Sequence, residues 1–299
     1  MIQVEQCPVC AGEKLAVVFA ARDHVVTQEE FKVLECDGCG LRLTSPVPDK
    51  DETDRYYESE NYTPHAASGG GNFAYRTVRK LMLARKRNLV TTETKMHRGR
   101  ILDVGCGSGE FLHAMHRAGW EVDGIDASEV ARREVSERYA VTLRSPEEWF
   151  AGSEEEYDVI TFWHAFEHIP NPNDYLRQVT SSLRDDGTLV LGLPNWNSLD
   201  AEHYGAEWAA YDVPRHITHF TRYTMETLLE RHGLSISSTH GLPFDAFYIS
   251  MLSEKSGFGS TLRGLWTGLK SNLSAVNDSN RWSSIIYIIR NSRTSERID

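Results

Sequence analysis

Apolar and polar positions follow two different periods along most of the chain. From residue 100 onward, apolar runs of strand length alternate with stretches where apolar residues recur every three or four positions. The runs predict strands at 100–104, 121–126, 140–143, 157–163 and 187–193. The helical spacing predicts helices at 109–118, 128–139, 173–184 and 223–232, the last stopped by Gly233. Two later strands, 234–240 and 284–290, close the series. Alternating strand and helix implies a mostly parallel sheet with helices on both faces, an α/β fold.

The first hundred residues follow a different pattern. Leu15–Ala20 and Phe31–Leu34 read as short strands. Thr44-Ser-Pro-Val-Pro-Asp is extended and turn-rich, and Tyr56, Tyr57 and Tyr62 lead to a flexible run at Ala67–Gly71. Phe73–Val90 predicts an amphipathic helix, with Val78, Leu81, Met82, Arg85 and Leu89 on one face and Arg76, Arg79, Lys80, Lys86 and Arg87 on the other. The expected organisation has three parts: a module at 1–60, a linker with a basic helix at 61–98, and a larger domain at 99–299 carrying a helical insertion at about 250–280. Within that insertion Leu262, Leu265, Trp266, Leu269 and Leu273 mark a further amphipathic helix, with Arg263 and Lys270 nearby. Core packing or a lid over a site is its simplest destination; a partner or a membrane surface are the others.

Composition narrows the class. A chain of 299 residues with 40% hydrophobic content can bury a full core plus a small second one, and its mixed charges exclude a disordered protein. Met1-Ile-Gln-Val-Glu-Gln-Cys lacks the basic start and apolar centre of a leader, and no run approaches the roughly 20 apolar residues that span a bilayer. A soluble cytoplasmic protein is the expectation. The net charge of −11 disfavours nucleic acid as a partner. It is unevenly spread: residues 1–60 hold 6 Lys/Arg against 13 Asp/Glu, whereas 76–100 hold 9 against 1. The basic stretch reads as a wall for an anionic substrate or cofactor carboxylate, or as a solvated helix face.

Four of the five cysteines form two C-x-x-C pairs, Cys7/Cys10 and Cys36/Cys39. Pairs of that spacing with short strands between them read as a zinc ribbon, and four thiolates leave no open coordination position, so the Zn²⁺ is structural. Disulfides, the alternative, suit a reducing compartment poorly. The fifth, Cys106, sits inside a glycine-rich loop, where it reads as a small packed side chain.

That loop is the densest chemistry in the chain. Asp103-Val-Gly105-Cys106-Gly107-Ser-Gly109 follows a strand and opens a helix, and Glu121-Val-Asp-Gly-Ile-Asp126-Ala127 is a second strand ending in an acid. Alternate glycines let the backbone turn tightly against a ligand. Asp126 is placed to accept from both hydroxyls of a ribose. A pyrophosphate would be repelled by Asp103, whereas the amino group and sulfonium of S-adenosylmethionine would suit it. The stretch resembles the glycine-rich motif of the class I S-adenosylmethionine-dependent methyltransferases. The resemblance implies a Rossmann-like sheet and a cofactor site at Asp103, Gly105, Cys106, Gly107, Gly109, Asp126 and Ala127.

Two segments face the acceptor side of that expectation. His164-Ala-Phe-Glu167-His168-Ile-Pro170 ends a buried strand and resembles the acid-His-apolar-Pro motif of ubiquinone-type and sugar-modifying members, although His164 stands where those tend to have an acid. Its histidines read as a general base, as ligands with Glu167 for a divalent cation, or as ties that hold the loop. The second segment, Trp208 to Phe220, resembles a linker of a bacterial subfamily in which a ribbon-like module precedes the methyltransferase domain. There Arg215 reads as a clamp for phosphate or carboxylate, and His216 and His219 as further bases, or the segment is a structural loop.

The resemblance implies methyl transfer to a small-molecule acceptor, possible anionic character included, at a hydroxyl of a sugar, glycan or related metabolite. A ribosomal RNA methyltransferase is the first alternative, opposed by the acidic ribbon. A non-catalytic zinc-ribbon interaction protein is the second, opposed by the intact Asp103, glycines and Asp126. Oligomeric state is not legible in the chain, and peripheral membrane contact is an open expectation.

Overall fold

The structure is a computed structural model that describes residues 1–49, 52–57, 73–152, 156–255 and 257–292. Tyr62, the run Ala67–Gly71 and the Arg76 side chain fall outside the described residues. Three strands come first, β1 (Leu15–Arg22), β2 (Glu30–Cys36) and β3 (Arg42–Ser45). A long helix follows, α1 (Phe73–Thr94). Strand and helix then alternate as expected through β4 (Arg100–Val104), α2 (Glu110–Arg117), β5 (Glu121–Ile125), α3 (Glu129–Tyr139), α4 (Pro146–Phe150), β6 (Tyr157–Trp163), α5 (Pro172–Ser182) and β7 (Leu183–Pro194). The remainder holds α6 (Leu199–Tyr204), β8 (Thr218–His219), α7 (Arg222–Glu230), β9 (Leu234–Gly241), α8 (Pro243–Ser253), α9 (Ser260–Asn277) and β10 (Ser284–Asn291).

Two compact units make up the chain. One comprises Met1–Tyr62, Phe166–Asp174 and Gly192–Tyr287; the other comprises Thr63–Ala165, Tyr175–Leu191 and Ile288–Asp299. Six strands form a sheet in the order β5-β4-β6-β7-β10-β9, and β4 runs parallel to both β5 and β6. This is the α/β architecture that the alternating periods predict. Its central strands are buried on both faces, as their unbroken apolar runs require: Ile101, Leu102, Val159, Ile160 and Phe162 have no exposed surface.

The strand expected at 140–143 does not form. Ala140 closes α3 in the left-handed region, φ 54°, and Ser145 opens α4 with a capping box to Glu148. The four residues between two helix ends are too few for a ladder. A single parallel bridge, Ile125 to Arg144, survives, and Leu143 instead packs with Leu112 and Val135. The capping box was the signal for α4: Ser145-Pro-Glu-Glu148 is an N-terminal signature in its own right.

Helix α1 also departs from its expected face. Val78 and Leu81 are exposed, and the helix buries itself through Val90 near its C-terminal end. On its other side Arg79 pairs with Glu110 at 2.7 Å, and the Lys86 ammonium sits 4.5 Å over the Trp163 ring. Part of the basic face is therefore engaged within its own unit.

In the first unit, β1, β2, β3 and β8 form a four-stranded sheet. Strand β3 pairs antiparallel with β8, Arg42 opposite His219 and Leu43 opposite Thr218. Phe31, Val33 and Tyr56 share one buried cluster with Trp208, Tyr211 and Val213. The residues of 1–57 and those of 201–219 thus build one core, which compensates for the small core that the first residues could form alone.

Arg215 is the centre of that core, and this corrects the expectation of an anion clamp. Its side chain has no exposure, and neither does that of Asp23. It donates to Asp23 at 2.9 Å, to Asp212 at 2.6 Å and to the Tyr56 carbonyl at 3.0 Å, which leaves no free edge for a ligand. Asp23 also accepts the backbone N–H groups of Val25, Val26 and Thr27. Burial works to raise the Asp23 carboxyl, but the Arg215 hydrogen bond and those backbone donors outweigh it and hold it near 2.

Arg215→Met should lower the unfolding free energy by about 3–5 kcal/mol, because the buried Asp23 and the partly buried Asp212 lose their cation. Asp23 is held below its unfolded value, so its stabilisation is complete above about pH 4 and is lost as pH falls toward 2. Urea unfolding at pH 7 and pH 3 measures both effects, and identical midpoints for parent and variant at pH 7 would contradict the assignment.

Candidate functional site

Three clusters of chemically capable side chains are built by the fold: an acid–glycine loop, a carboxylate–histidine group and a cysteine group. The loop belongs to the unit containing α1–α5. Strand β4 ends at Val104, and Gly105, Gly107 and Gly109 follow with φ of 71°, 52° and 69°. A side chain at Gly105 would meet the Ala165 Cβ at 2.5 Å, and one at Gly109 would meet Val135 at 2.8 Å. Both the backbone conformation and the space therefore demand glycine. Gly109 caps α2, whose first N–H groups face the loop.

Asp126 closes the loop from β5. Its Oδ2 accepts the Gly107 N–H at 2.8 Å and its Oδ1 accepts the Ser128 N–H at 2.9 Å. Each carboxylate oxygen has a second lone pair, so acceptor capacity remains for two hydroxyls. Ala127 follows, its carbonyl held by Arg132 at 2.9 Å. Asp103 is buried, and its Oδ1 accepts from the Thr161 hydroxyl at 2.6 Å. Burial pushes its carboxyl up to about 7; Thr161 and the Lys86 charge pull it down, and Asp126 raises it further. Cys106 lies beside both acids. Burial and their charge push its thiol well above the usual range, so it remains protonated and unreactive.

Thr161 was missed in the sequence. It is the polar residue within the run Val-Ile-Thr-Phe-Trp of β6, and a lone hydroxyl in a buried strand signals a buried partner.

The histidines divide into distinct roles. Among the described residues, the ligand atoms of Glu167, His168 and His216 lie within 4.8 Å of one another. The expected trio had His164 in place of His216. His164 instead follows β6 with φ 54°, half-buried. The His216 Nδ1 lies 2.8 Å from the Ala210 carbonyl, so it carries the proton and Nε2 presents its lone pair. That Nε2 lies 3.9 Å from a Glu167 oxygen and 3.9 Å from an Asp212 oxygen. The His168 Nδ1 donates to the Arg215 carbonyl at 3.0 Å and also meets the Tyr57 hydroxyl at 3.2 Å, which again frees Nε2. Burial and the neighbouring His216 push His168 down to about 4, so it is neutral at physiological pH.

His219 does different work. Its Nε2 lies 3.0 Å from the Thr44 hydroxyl, whose own proton goes to the His216 carbonyl at 2.6 Å. Nε2 is then the donor, and burial pushes this imidazole well below its usual range. His219 ties strand β3 to the 216–219 segment. Tyr57, Ala210 and Thr44 carry no sequence signal for these contacts, because each acts across a large chain separation or through its backbone.

The cysteine group is compact. Cys7 and Cys39 Sγ are 3.5 Å apart, Cys10 and Cys36 Sγ 3.4 Å, and all four lie within 4.8 Å of one another. No pair is bonded. A tetrahedral ion with Zn–S bonds of about 2.3 Å needs sulfur separations of about 3.8 Å, so the donor set fits Zn²⁺. Each pair sits on a matching turn: Ala11 N–H to the Cys7 carbonyl at 2.9 Å, and Gly40 N–H to the Cys36 carbonyl at 2.8 Å.

Known proteins resemble the chain over part of its length. The ubiquinone biosynthesis O-methyltransferase of Azoarcus sp. (strain BH72) is 29% identical over 159 residues, 49% of this chain and 68% of that protein. Its namesake from Aeromonas salmonicida (strain A449) is 35% identical over 106 residues, 33% of this chain and 44% of that protein. A solved structure from Galdieria sulphuraria, described as a sarcosine dimethylglycine methyltransferase, superposes with a TM-score of 0.50 at 16% identity, covering 72% of this chain and 86% of its own. That likeness is one of fold. The sequence model of a methyltransferase domain matches residues 74–239, over half of the chain, from α1 through the acid–glycine loop to β9. The chain belongs to this methyltransferase domain family, and it is an S-adenosylmethionine-dependent methyltransferase.

Proposed function

We propose that the protein transfers a methyl group to a hydroxyl oxygen of a small metabolite, with His216 as the proton acceptor. The observation that carries this reading is the orientation of His216, whose Nδ1 is fixed on a carbonyl while Nε2 faces a buried carboxylate. The relatives' printed names support oxygen as the accepting atom. Sugar or glycan hydroxyls are the acceptor class expected from the sequence, and intermediates of quinone biosynthesis are the class suggested by the relatives.

Bound S-adenosylmethionine supplies the electrophilic methyl carbon. Asp126 would accept from the ribose hydroxyls, and the glycine backbone of the loop would approach the rest of the donor. Asp103 adds a buried carboxylate whose ionised form a cationic donor favours. Within its own unit, a proton taken by His216 Nε2 makes an imidazolium 3.9 Å from Glu167, whose charge stabilises it. His168, held neutral, adds no competing charge. The four cysteines would hold a structural Zn²⁺, which would tie the Cys7–Cys10 turn to the Cys36–Cys39 turn.

His216→Asn should reduce kcat by about 10²–10⁴ while leaving donor affinity within about twofold. A labelled-methyl assay over nucleotide sugars, glycolipids, quinone precursors and RNA identifies the acceptor; an unchanged kcat in the variant would assign the base elsewhere. Asp103 must be ionised to favour a cation, and its carboxyl lies near 7, so donor affinity should fall up to about tenfold per pH unit below 7 and flatten above it. Calorimetry between pH 6 and 8.5 reads this directly, and a flat profile would remove Asp103 from donor binding. Cys36→Ser should abolish bound zinc in metal analysis and lower the thermal midpoint; one full equivalent of zinc in the variant would contradict the four-thiolate assignment.

A further inference from the structure

Helices α8 and α9 are built with their polarity reversed. On α9 the residues facing the protein are small or polar: Gly264, Thr267, Gly268, Ser271 and Ala275 are buried. The opposite face carries large apolar side chains, and all of them are exposed: Leu262 73%, Leu265 40%, Trp266 58%, Leu269 39%, Leu273 58% and Val276 72%. These positions recur at three- and four-residue intervals and form one stripe about 21 Å long. Helix α8 repeats the design. Asp245, Ala246, Ile249, Ser250 and Ser253 face inward, while Phe244, Tyr248 and Leu252 face out. The loop between them presents Phe258, fully exposed. The two helices pack closely, since a Cβ at Gly268 would meet the Ala246 carbonyl and Phe247 Cα at 2.8 Å, and α9 is tied to α6 by Ser271, which donates to the buried Asp200 at 2.6 Å. The outward stripe is therefore a fixed feature, not a face waiting to turn inward.

Charge identifies the occupant. From Pro243 to Asn277 the hairpin holds Lys255, Arg263 and Lys270 against Asp245 and Glu254, and of those two acids Asp245 is buried and Glu254 is largely buried on Arg263, in a chain of net charge −11. Arg263 is held by Glu254 at 2.8 Å, and Lys270 lies 5.4 Å over the Trp266 ring at the flank of the stripe. A second copy docking through the same stripe would set Lys255 and Lys270 of one copy against those of the other, since Glu254 is already held by Arg263 and Asp245 is buried. An anionic lipid surface meets both properties at once: apolar and aromatic side chains enter the interface, and flanking ammonium groups meet phosphates. From this we infer that the outer face of the α8–α9 hairpin docks on the surface of an anionic phospholipid bilayer.

Flotation of the full chain with vesicles tests this. Vesicles of phosphatidylcholine containing one part in about three of phosphatidylglycerol should bind the protein about tenfold better than phosphatidylcholine alone, and salt should weaken that binding. Leu262→Ser with Trp266→Ser and Leu273→Ser, all on exposed positions, should cut binding by about tenfold or more. Lys270→Glu should reduce binding to the anionic vesicles alone, which keeps the test decisive if the triple variant misfolds by circular dichroism. Failure of the parent protein to float with either vesicle would overturn the inference. So would a dimer in sedimentation velocity that the triple variant splits while vesicle binding stays absent, since the face would then belong to a second copy.

Discussion

The buried guanidinium of Arg215 is the constraint on which the histidine group rests. Its side chain fixes Asp23 at the end of β1, Asp212 three residues upstream and the Tyr56 carbonyl, and its own carbonyl receives the His168 Nδ1 proton. One residue therefore sets both the position of the 208–219 segment and the tautomer of a neighbouring imidazole. Burying three charges is expensive unless every donor and acceptor is used. Here the surrounding backbone uses them: Val25, Val26 and Thr27 donate to Asp23, and Thr27 adds its hydroxyl. The arrangement stabilises little beyond what an apolar core would supply, but it permits a single geometry. A reacting imidazole needs that fixed geometry more than it needs added stability.

The acid–glycine loop works under the opposite condition. Its glycines accept positive φ and close contact, and its two acids lie beside each other at the loop. Asp103 without a cation is a poorly placed charge, which is why burial drives its carboxyl toward neutrality. The loop is thus locally unfavourable until a cationic ligand relieves it, and strain of this kind is characteristic of sites rather than cores. The ordered Thr161 hydroxyl and the Lys86 charge limit that penalty within the same unit.

These two conditions explain what the sequence could disclose. The loop was legible because all its constraints are local: strand, three alternate glycines, helix and a second strand ending in an acid lie within the 27 residues from Arg100 to Asp126. The parallel sheet was legible because strands buried on both faces read as unbroken apolar runs. The strand at 140–143 misled because its apolar run is real but lies between two helix ends, where capping by Ala140 and Ser145 wins over ladder formation. The histidine group was legible only as a list of candidates. Glu167 and His216 are far apart in the chain, and the features that separate a base from a tie are a carbonyl at Ala210 and a hydroxyl at Thr44, neither of which leaves a pattern. Arg215 misled for the same reason: a guanidinium beside aromatics looks like an anion clamp until its partner, Asp23, is found almost two hundred residues away.

Helices α8 and α9 show where periodicity carries less information than it seems to carry. A stripe at helical spacing gives the presence of an apolar face and not its direction, and the reading of Leu262–Leu273 as core or lid chose the common direction. The deciding information is on the opposite face. Gly264, Gly268, Ser271 and Ala275 form a second stripe, of small residues, and two helices can approach closely only through such a stripe. When a helix carries a small stripe and a large apolar stripe on opposite sides, close packing claims the small one and the large one is left facing outward. Neighbouring Asp200, which accepts from Ser271 as well as from Ser283 and the Trp208 indole, reinforces the choice, because turning the hairpin over would take the Ser271 donor from a buried carboxylate.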